Sequence, residues 1–183
     1  MAELRTDRLV LREWRRSDLA PWAALNADPV VRAYFPGVLT REQSDASAAR
    51  FQADLGRRGW GWWAVEVAAS GEFIGFAGLD PVEDGLPFTG TEAGWRLARP
   101  AWGHGYATEA ARAAVAFAFE ELGLEEVLAI TAATNRRSRA VMDRLGMTRD
   151  PADDFDDPGV PEGPLRRNVL YRLPRPGGRP AAG

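Results

Sequence analysis

The sequence predicts a mixed α+β domain whose central sheet is mostly antiparallel. A turn signal at Ser70 and Gly71 separates two apolar segments, which indicates a β-hairpin. In the second half of the chain, apolar strand segments alternate with amphipathic helical segments, which is the order of a βαβ crossover. A chain of 183 residues is long enough for one domain with a substantial core. We therefore expect one twisted sheet of about six to seven strands, with helices on both faces.

Each predicted element has its own local signal. Ser17 is placed to cap the first helix, and Thr40 followed by Gln43 forms the capping-box pattern of the second. Gly123 and Gly146 are placed to end the two later helices. Alternating or continuous apolar residues predict the strands. The predicted elements are strand 9–14, helix 17–26, a helical turn from 29, helix 40–57, hairpin 62–79, strand 92–98, helix 107–122, strand 127–132, helix 135–146 and strand 168–173.

Composition and charge restrict the class of protein. Residues 1–173 are expected to form the domain, and the proline- and glycine-rich residues 174–183 a flexible tail. No apolar run approaches the roughly 20 residues of a membrane span, and charges replace the apolar core of a signal peptide. We therefore expect a cytoplasmic protein without a membrane partner. The net charge of −3 gives no support for a nucleic-acid partner.

Residue usage excludes several chemistries. The absence of cysteine excludes disulfides, thiolate nucleophiles and Cys-based metal sites, and a single histidine argues against a His-rich one, so no metal is expected. All 23 basic residues are arginine, which excludes a P-loop lysine and a lysine Schiff base.

The stretch RPAWGHGYATEAARAAVAFAFEELG, at 99–123, places the only histidine between Gly103 and Gly105, directly before the most regular helical pattern. Such glycines let backbone N–H groups approach a ligand at a helix N-terminus, where an anion is favoured. A phosphate cradle and an ordinary turn both agree with the spacing. A Rossmann fingerprint is disfavoured because Thr108 stands at the third glycine position.

The segment WGHGYA at 102–107 resembles the pyrophosphate-binding motif Q/R-x-x-G-x-G/A of the GNAT acyltransferase superfamily, with Trp102 in place of Gln or Arg. It is most similar to the RimJ/RimL-like branch, the ribosomal-protein N-terminal acetyltransferase type, whose loop commonly reads YWGKGYATEA. RTDRLVLREW at 5–14, GEFIGFAGL at 71–79 and NRRSRAVMDRLGM at 135–147 also resemble that branch. The resemblance covers nearly 5–173 and implies the GNAT fold.

The resemblance implies acetyl-CoA as the cofactor and direct transfer of its acetyl group to a primary amine in a ternary complex. Backbone amides from Gly103 to Thr108 would bind the pyrophosphate. A backbone N–H near Leu97 or Ala98 would polarise the carbonyl, on a strand that pairs with the pantetheine arm. His104 would project toward the phosphates of the coenzyme, or would be an exposed loop residue without a catalytic role. The implied cofactor-binding residues are Leu97, Ala98, Trp102, Gly103, His104, Gly105, Tyr106, Ala107, Thr108, Asn135 and Ser138.

Three residues are candidates for catalysis by the same resemblance. Many relatives carry a tyrosine where this chain has Met142, so Ser138 is expected to replace it in protonating the thiolate. Glu92 matches a catalytic or water-bridging carboxylate. Asp157 replaces the histidine of a DFDHP segment, so a base role there is changed or lost. Each has a structural alternative: a helix serine bonded to the backbone, a solvated strand glutamate and a solvated acidic loop.

The expected acceptor is an α-amine of a peptide or small molecule, because an α-amine titrates near ~8 and a lysine amine near ~10.4. Two other functions stay open: a non-catalytic acyl-CoA-binding module, and an acyltransferase that uses another donor such as succinyl-CoA, which needs a cation near the thioester. A homodimer also stays open. The tryptophans near 14, 22 and 60–63 are expected to be mainly core, with a role in an acceptor pocket as the alternative.

Overall fold

The computed structural model describes residues 2–177, so the end of the predicted tail, 178–183, lies outside the described residues. The strands are β1 (Leu4–Arg5), β2 (Leu9–Arg12), β3 (Trp62–Val67), β4 (Glu72–Pro81), β5 (Thr91–Leu97), β6 (Glu126–Ala132), β7 (Phe155–Asp156) and β8 (Arg167–Pro174). The helices are α1 (Leu19–Ala27), α2 (Arg41–Arg58), α3 (Tyr106–Glu120) and α4 (Arg136–Leu145). Over residues 2–177, no helix has both the length and the apolar character needed to cross a membrane.

The strands form one sheet in the order β1-β2-β3-β4-β5-β6-β8-β7. Neighbouring strands are antiparallel except β5 and β6, which run parallel. The prediction of a mixed, mostly antiparallel sheet is confirmed. The sheet has eight strands rather than six or seven, because β1 and β7 have two residues each, too few for an apolar alternation. Pro174, the first residue of the predicted tail, ends β8.

Helices cover both faces of the sheet, as the sequence predicts. Successive strand residues point to opposite faces, and two tryptophans of β3 illustrate this. The ring of Trp62 packs against Phe51 of α2, with centroids 6.5 Å apart. The ring of Trp63 packs against Phe117 of α3 on the other face, at 5.4 Å. Both tryptophans are buried, in agreement with their predicted core role.

The predicted helix caps are confirmed for α2 and α4. The Thr40 hydroxyl accepts from Gln43 N–H, and the Gln43 side chain accepts from Thr40 N–H. The Asn135 side chain accepts from Ser138 N–H at the start of α4, and Gly146 ends that helix with φ +81°.

The predicted cap at Ser17 is wrong. Ser17 lies inside a 3₁₀ turn, Arg16–Asp18, that precedes α1. The buried Asp18 carboxylate accepts from the Arg12 guanidinium at 2.7 and 3.0 Å and from Arg15 N–H at 2.7 Å. This contact with β2 determines how the chain enters α1, and a local cap pattern does not contain it.

β5 and β6 separate after a single register pair. Glu92 opposite Leu128 is the one pair between them in the described part of the chain. In contrast, β5 pairs with β4 along its whole length. Beyond Glu92, one edge of β5 therefore has no neighbouring strand, and this gap positions the candidate site.

Candidate active site

A cleft of about 1230 Å³ occupies the gap between β5 and β6. One half of its wall comes from residues within 101–112 and 135–144, and is termed the glycine half. The opposite half is termed the aromatic half. β5 lies between the two halves and contributes residues 92–97. The apolar and aromatic side chains of the aromatic half are Val30, Val31, Tyr34, Phe35, Phe51, Trp62 and Phe76.

The free edge of β5 presents backbone groups of alternate residues to the cleft. Ala98 N–H donates to the Ile74 carbonyl of β4 at 2.8 Å. Hydrogen-bonded and non-bonded pairs alternate in an antiparallel ladder, so the backbone groups of Trp95 and Leu97 face the opposite edge. The Leu97 carbonyl there accepts from the Trp102 indole N–H at 2.8 Å. The sequence offered two N–H groups, those of Leu97 and Ala98, to polarise a carbonyl. The Leu97 N–H points toward the cleft, whereas the Ala98 N–H is hydrogen-bonded to β4.

The loop before α3 contains two glycines in the left-handed backbone region. The φ angles are +82° for Gly103 and +80° for Gly105, a conformation that other residues rarely adopt. Gly105 is the N-cap of α3, so the N–H groups of residues 106–108 have no acceptor within the helix. These donors, together with the helix dipole, favour an anion at this point.

His104 does not line the cleft. Its exposed ring stacks on Tyr106, with centroids 5.4 Å apart and planes at 22°. Its carbonyl accepts from Arg8 at 3.0 Å. This is the geometry of an exposed loop residue.

Arg8 lies beside the glycine loop, and the sequence motifs did not single it out. Its Nε donates to Glu109 at 2.7 Å, and its guanidinium lies 4.9 Å from the Tyr106 ring. Burial acts to raise the pKa of Glu109, but hydrogen bonds from Thr6 and Arg8 outweigh it and lower that pKa. The contacts fix the N-terminal segment against α3 and hold a cation next to the loop. The only signal in the sequence was that Arg8 belongs to the segment 5–14 of the family resemblance.

Four more arginines line the glycine half: Arg112, Arg136, Arg137 and Arg144. All four are exposed, and none forms an ion pair with a carboxylate among the residues that the structure describes. The Arg137 guanidinium lies 4.4 Å from the Trp102 ring. A chain with a net negative charge therefore carries a locally cationic surface beside the anion-favouring loop.

α4 brings Ser138 and Met142 to the cleft, one helical turn apart on the same face. Met142 is buried, and its thioether has no proton to donate. Ser138 is half-buried and carries the only hydroxyl of α4. Asn135 is held as the cap of α4, and its amide donates to the Thr131 hydroxyl at 2.9 Å. The Ser138 hydroxyl is thus the one hydroxyl of α4 near residue 142, the position at which the family resemblance implies a tyrosine.

Glu92 carries a strongly perturbed carboxyl group. Burial, and then the negative charges of Asp80 and Glu83, raise the pKa of Glu92 to about 8. Asp80 stands directly opposite in β4 and is held by Arg58 at 2.6 Å and the Trp62 indole at 3.0 Å. The Glu92 carboxyl therefore titrates in the range of an α-amine.

Arg96 is a further residue that sequence reasoning missed. It lies on the same face of β5 as Glu92, because residues four apart in a strand share a face. Its Nη1 donates to Asn26 Oδ1 at 3.0 Å. Burial, and then the charge of Arg32, lower the pKa of Arg96 to about 9, so that it remains a cation at neutral pH.

Asp157 does not line the cleft. Its carboxylate accepts from Gly159 N–H at 2.8 Å, an Asx turn directly after β7. Two strands, β6 and β8, separate β7 from β5 in the sheet. The structure thus brings Glu92 and Ser138 to the cleft but not Asp157. Over residues 2–177, no group of three or more acidic or histidine side chains is arranged to hold a metal ion.

Comparisons with known proteins agree with this geometry. A family model described as an acetyltransferase (GNAT) domain matches residues 8–148. The FsC-acetyl coenzyme A-N(2)-transacetylase of Aspergillus fumigatus is 42% identical over 120 residues, which are 61% of this chain and 50% of that protein. The chain thus spans about half the length of this curated relative.

Solved structures share the whole fold. The acetyltransferase from Agrobacterium tumefaciens is 28% identical, with a TM-score of 0.77 over 96% of this chain and 95% of that one. RimL, a ribosomal L7/L12 alpha-N-protein acetyltransferase in complex with coenzyme A, has a TM-score of 0.74 at 15% identity, over 94% of this chain and 98% of that one.

Proposed function

The chain belongs to the GNAT acetyltransferase family, and we propose that it transfers the acetyl group of acetyl-CoA to a primary amine by direct attack within a ternary complex. The gap between β5 and β6 carries this proposal, because a free backbone edge there leads to a glycine loop at a helix N-terminus. A donor with an amide-containing arm and a diphosphate matches those two features in that order.

The residues present fit coenzyme A at three points. The N–H groups of residues 103–108 would hold the pyrophosphate, and the outward groups of Trp95 and Leu97 would pair with the pantetheine arm. The exposed arginines of the glycine half suit the remaining phosphate, since guanidinium groups bind phosphate through paired hydrogen bonds. When bound, acetyl-CoA supplies an activated thioester. An arm that leaves the glycine loop meets Leu97 before Trp95, so the outward Trp95 N–H, which lies nearer to Glu92, would donate to the thioester carbonyl oxygen.

Glu92 would act as the base, directly or through a water molecule. A carboxylate with a pKa of about 8 matches an α-ammonium group, so proton transfer between the two is nearly balanced. Above that pKa the ionised carboxylate accepts the proton of the attacking amine. This similarity between the pKa of Glu92 and that of an α-amine favours an α-amine over a lysine side chain as the acceptor.

Ser138 would donate the proton to the departing thiolate. It lines the cleft from the first turn of α4, with its N–H fixed by the Asn135 cap. Removing this donor leaves the thiolate to take its proton from water, which slows the reaction without abolishing it.

The acceptor is proposed to be a peptide or small-molecule α-amine. The name of the Aspergillus relative specifies an N(2) amine, and that of RimL an alpha-N position of a protein. The aromatic half offers a surface that an amine with an apolar body would contact.

The experiment that tests the proposal is a thiol-release assay with acetyl-CoA and a panel of N-terminal peptides, amino acids, polyamines and aminoglycosides. We expect amine-dependent release of free coenzyme A, with α-amines turned over faster than matched lysine side chains. Equal or faster turnover of lysine side chains would contradict the α-amine assignment.

A second candidate is a binding module without turnover, and Met142 is the observation that favours it. A buried thioether replaces the proton donor of many relatives. Saturable binding of acetyl-CoA without thiol release across the whole amine panel would support this candidate. Steady release with any amine would reject it.

A further inference from the structure

Two arginines next to the aromatic half have no carboxylate partner in the part of the chain that the structure describes. Arg32 and Arg96 form no ion pair within residues 2–177. Arg32 is buried and its Nε donates to the Gly37 carbonyl at 2.7 Å. Arg96 uses Nη1 on Asn26, and its buried Nε has no partner. Burying a cation without an anion costs free energy, so two such cations together indicate a missing negative partner.

Aromatic rings hold the two guanidinium groups in place. Both stack on Phe35, with the Cζ of Arg32 at 4.5 Å and that of Arg96 at 4.2 Å from its centroid. Arg96 also lies 5.4 Å from Phe76 and 5.6 Å from Trp22. Ring faces attract cations and fix Arg96 without neutralising its charge. The spare donors of Arg96 are thus pre-positioned for an anion.

Only one of the two arginines reaches the cleft. Arg96 lines it, on the same face of β5 as Glu92, whereas Arg32 does not line it. We propose that Arg96 binds the carboxylate of an acceptor that carries both an amine and a carboxylate, and that the charge of the nearby Arg32 adds to the positive potential there. A planar guanidinium fork matches a carboxylate in shape as well as charge. This inference rests on the proposed function and names the chemical class of its acceptor.

The acceptor is the partner that the geometry favours for Arg96. The arginine lies among the aromatic side chains, whereas the cations suited to the donor's phosphates lie in the glycine half. Glu92 and Arg96 are four strand residues apart, so their Cα atoms are roughly 13 Å apart and their side chains point into one cavity. The amine and the carboxylate of the acceptor therefore need not share a carbon atom.

The test compares acceptors in matched pairs, with acetyl-CoA as donor and thiol release as readout. Glycine is paired with glycinamide, and 6-aminohexanoate with hexylamine, and ω-amino acids of intermediate length are added. We expect the best acid to exceed its neutral partner about 10- to 100-fold in kcat/KM, the range of a charge-assisted hydrogen bond. Equal turnover of acids and neutral partners at every length would overturn the proposal, and this arm needs only the wild-type protein.

Variants then assign the preference to Arg96. In Arg96→Gln the acid-to-neutral ratio should fall to about one, mainly through a higher KM for the acid, and Arg96→Lys should restore part of it. Arg50→Gln is the matched control, because Arg50 also lines the cleft but is exposed. Arg50→Gln should keep the wild-type ratio. A ratio that survives Arg96→Gln would contradict the assignment.

Binding without a donor separates this inference from the proposed function. Hexanoate, titrated by the fluorescence change of the neighbouring tryptophans, should bind the wild type and lose affinity in Arg96→Gln. Arg96-dependent binding without turnover of any amine would sustain the carboxylate site while the proposed function fails. A preference for succinyl-CoA over acetyl-CoA that disappears in Arg96→Gln would place the carboxylate on the donor and overturn the inference.

Discussion

The two halves of the cleft differ in how they are built. The glycine half consists of backbone N–H groups, two left-handed glycines and exposed arginines, mostly from two short segments of the chain. The aromatic half consists of side chains from α2, β3, β4 and the connection after α1. Beside it, the titratable groups of β5, Glu92 and Arg96, have pKa values displaced from the ordinary ones by burial. A binding site formed by the backbone of consecutive residues can be recognised as a local sequence motif. A binding site formed by side chains from distant parts of the chain has no such motif.

The largest expected effect concerns the glycine half. Gly105→Val should lower the affinity for coenzyme A by about 100-fold or more, because a β-branched residue is strained at φ +80° and its side chain would approach Arg8. Isothermal titration calorimetry measures the loss. The control is Gly123→Val, which imposes a similar strain at φ +65° beyond the other end of α3. An unchanged affinity in Gly105→Val, or an equal loss in both variants, would mean that the loop is not the anion site.

The next effect concerns the boundary between the halves. Glu92→Gln should lower kcat/KM by about 100-fold, within the range of a lost general base, with little change in coenzyme A affinity. The wild-type rate should rise with pH through about 8, where Glu92 and an α-amine acceptor both lose a proton, and the variant should show a shallower rise that follows the acceptor amine alone. A variant with full activity and the same pH profile would remove Glu92 from the mechanism.

Stability provides an independent check on Glu92. The folded-state pKa lies above the ordinary value of 4.5, so ionisation destabilises the folded protein. Wild-type stability should therefore decrease as pH rises from about 4.5 to beyond 8, relative to Glu92→Gln. Thermal unfolding at pH 5 and pH 9 should show the variant gaining over the wild type at the higher pH.

A smaller effect is expected for the proton donor. Ser138→Ala should lower kcat about 10-fold, the low side of an acid–base contribution, while the affinity for coenzyme A stays within about twofold. Pre-steady-state and steady-state assays of thiol release measure the change in kcat, and a coenzyme A titration measures the affinity. Ser138→Thr keeps the hydroxyl and should recover most of the rate. If Ser138→Ala matches the wild type, the thiolate takes its proton from elsewhere.

The exposed arginines should contribute a few-fold each. Arg136→Gln and Arg137→Gln should each weaken coenzyme A binding by about two- to fivefold and reduce its salt dependence, because exposed charge pairs are worth little and are screened. Titrations at low and high salt measure both effects. Arg16→Gln, an exposed arginine in the turn before α1, should change neither. Salt-independent binding in the wild type would contradict a role for these charges.

The smallest expected effect is a shift of the pH profile. The negative charge of Glu83 helps to raise the pKa of Glu92, so Glu83→Gln should move the midpoint of the rate profile to a lower pH. The displacement should be a fraction of a pH unit, since burial makes the larger contribution. A midpoint that moves upward would show that another group controls the profile.

The fold and the glycine half could be read largely from the sequence. The hairpin at Gly71, the capping box at Thr40 and the loop at Gly103–Gly105 are local patterns, and each lies where it was predicted. The family resemblance is confirmed, because a GNAT family model matches most of the chain. The separation of β5 from β6 was not predictable, since no local pattern states where a parallel ladder stops.

The aromatic half and the β5 side chains beside it could not be predicted from the sequence for the same physical reason. The pKa of Glu92 depends on burial and on Asp80 in another strand, and the position of Arg96 depends on rings from three other parts of the chain. Arg8 reaches the glycine loop from 96 residues away. Asp157 was a motif-based expectation, and the structure places it in an Asx turn after β7, where it does not line the cleft.

The central claim is that the free edge of β5 and the glycine loop together receive coenzyme A. Backbone amide chemical shifts during a coenzyme A titration test it most directly. The account predicts saturable shifts of the Trp95 and Leu97 amides together with those of residues 103–108, and little change at Ala98, whose N–H is bonded to β4. Saturable binding that leaves Trp95, Leu97 and the glycine loop unperturbed would contradict it.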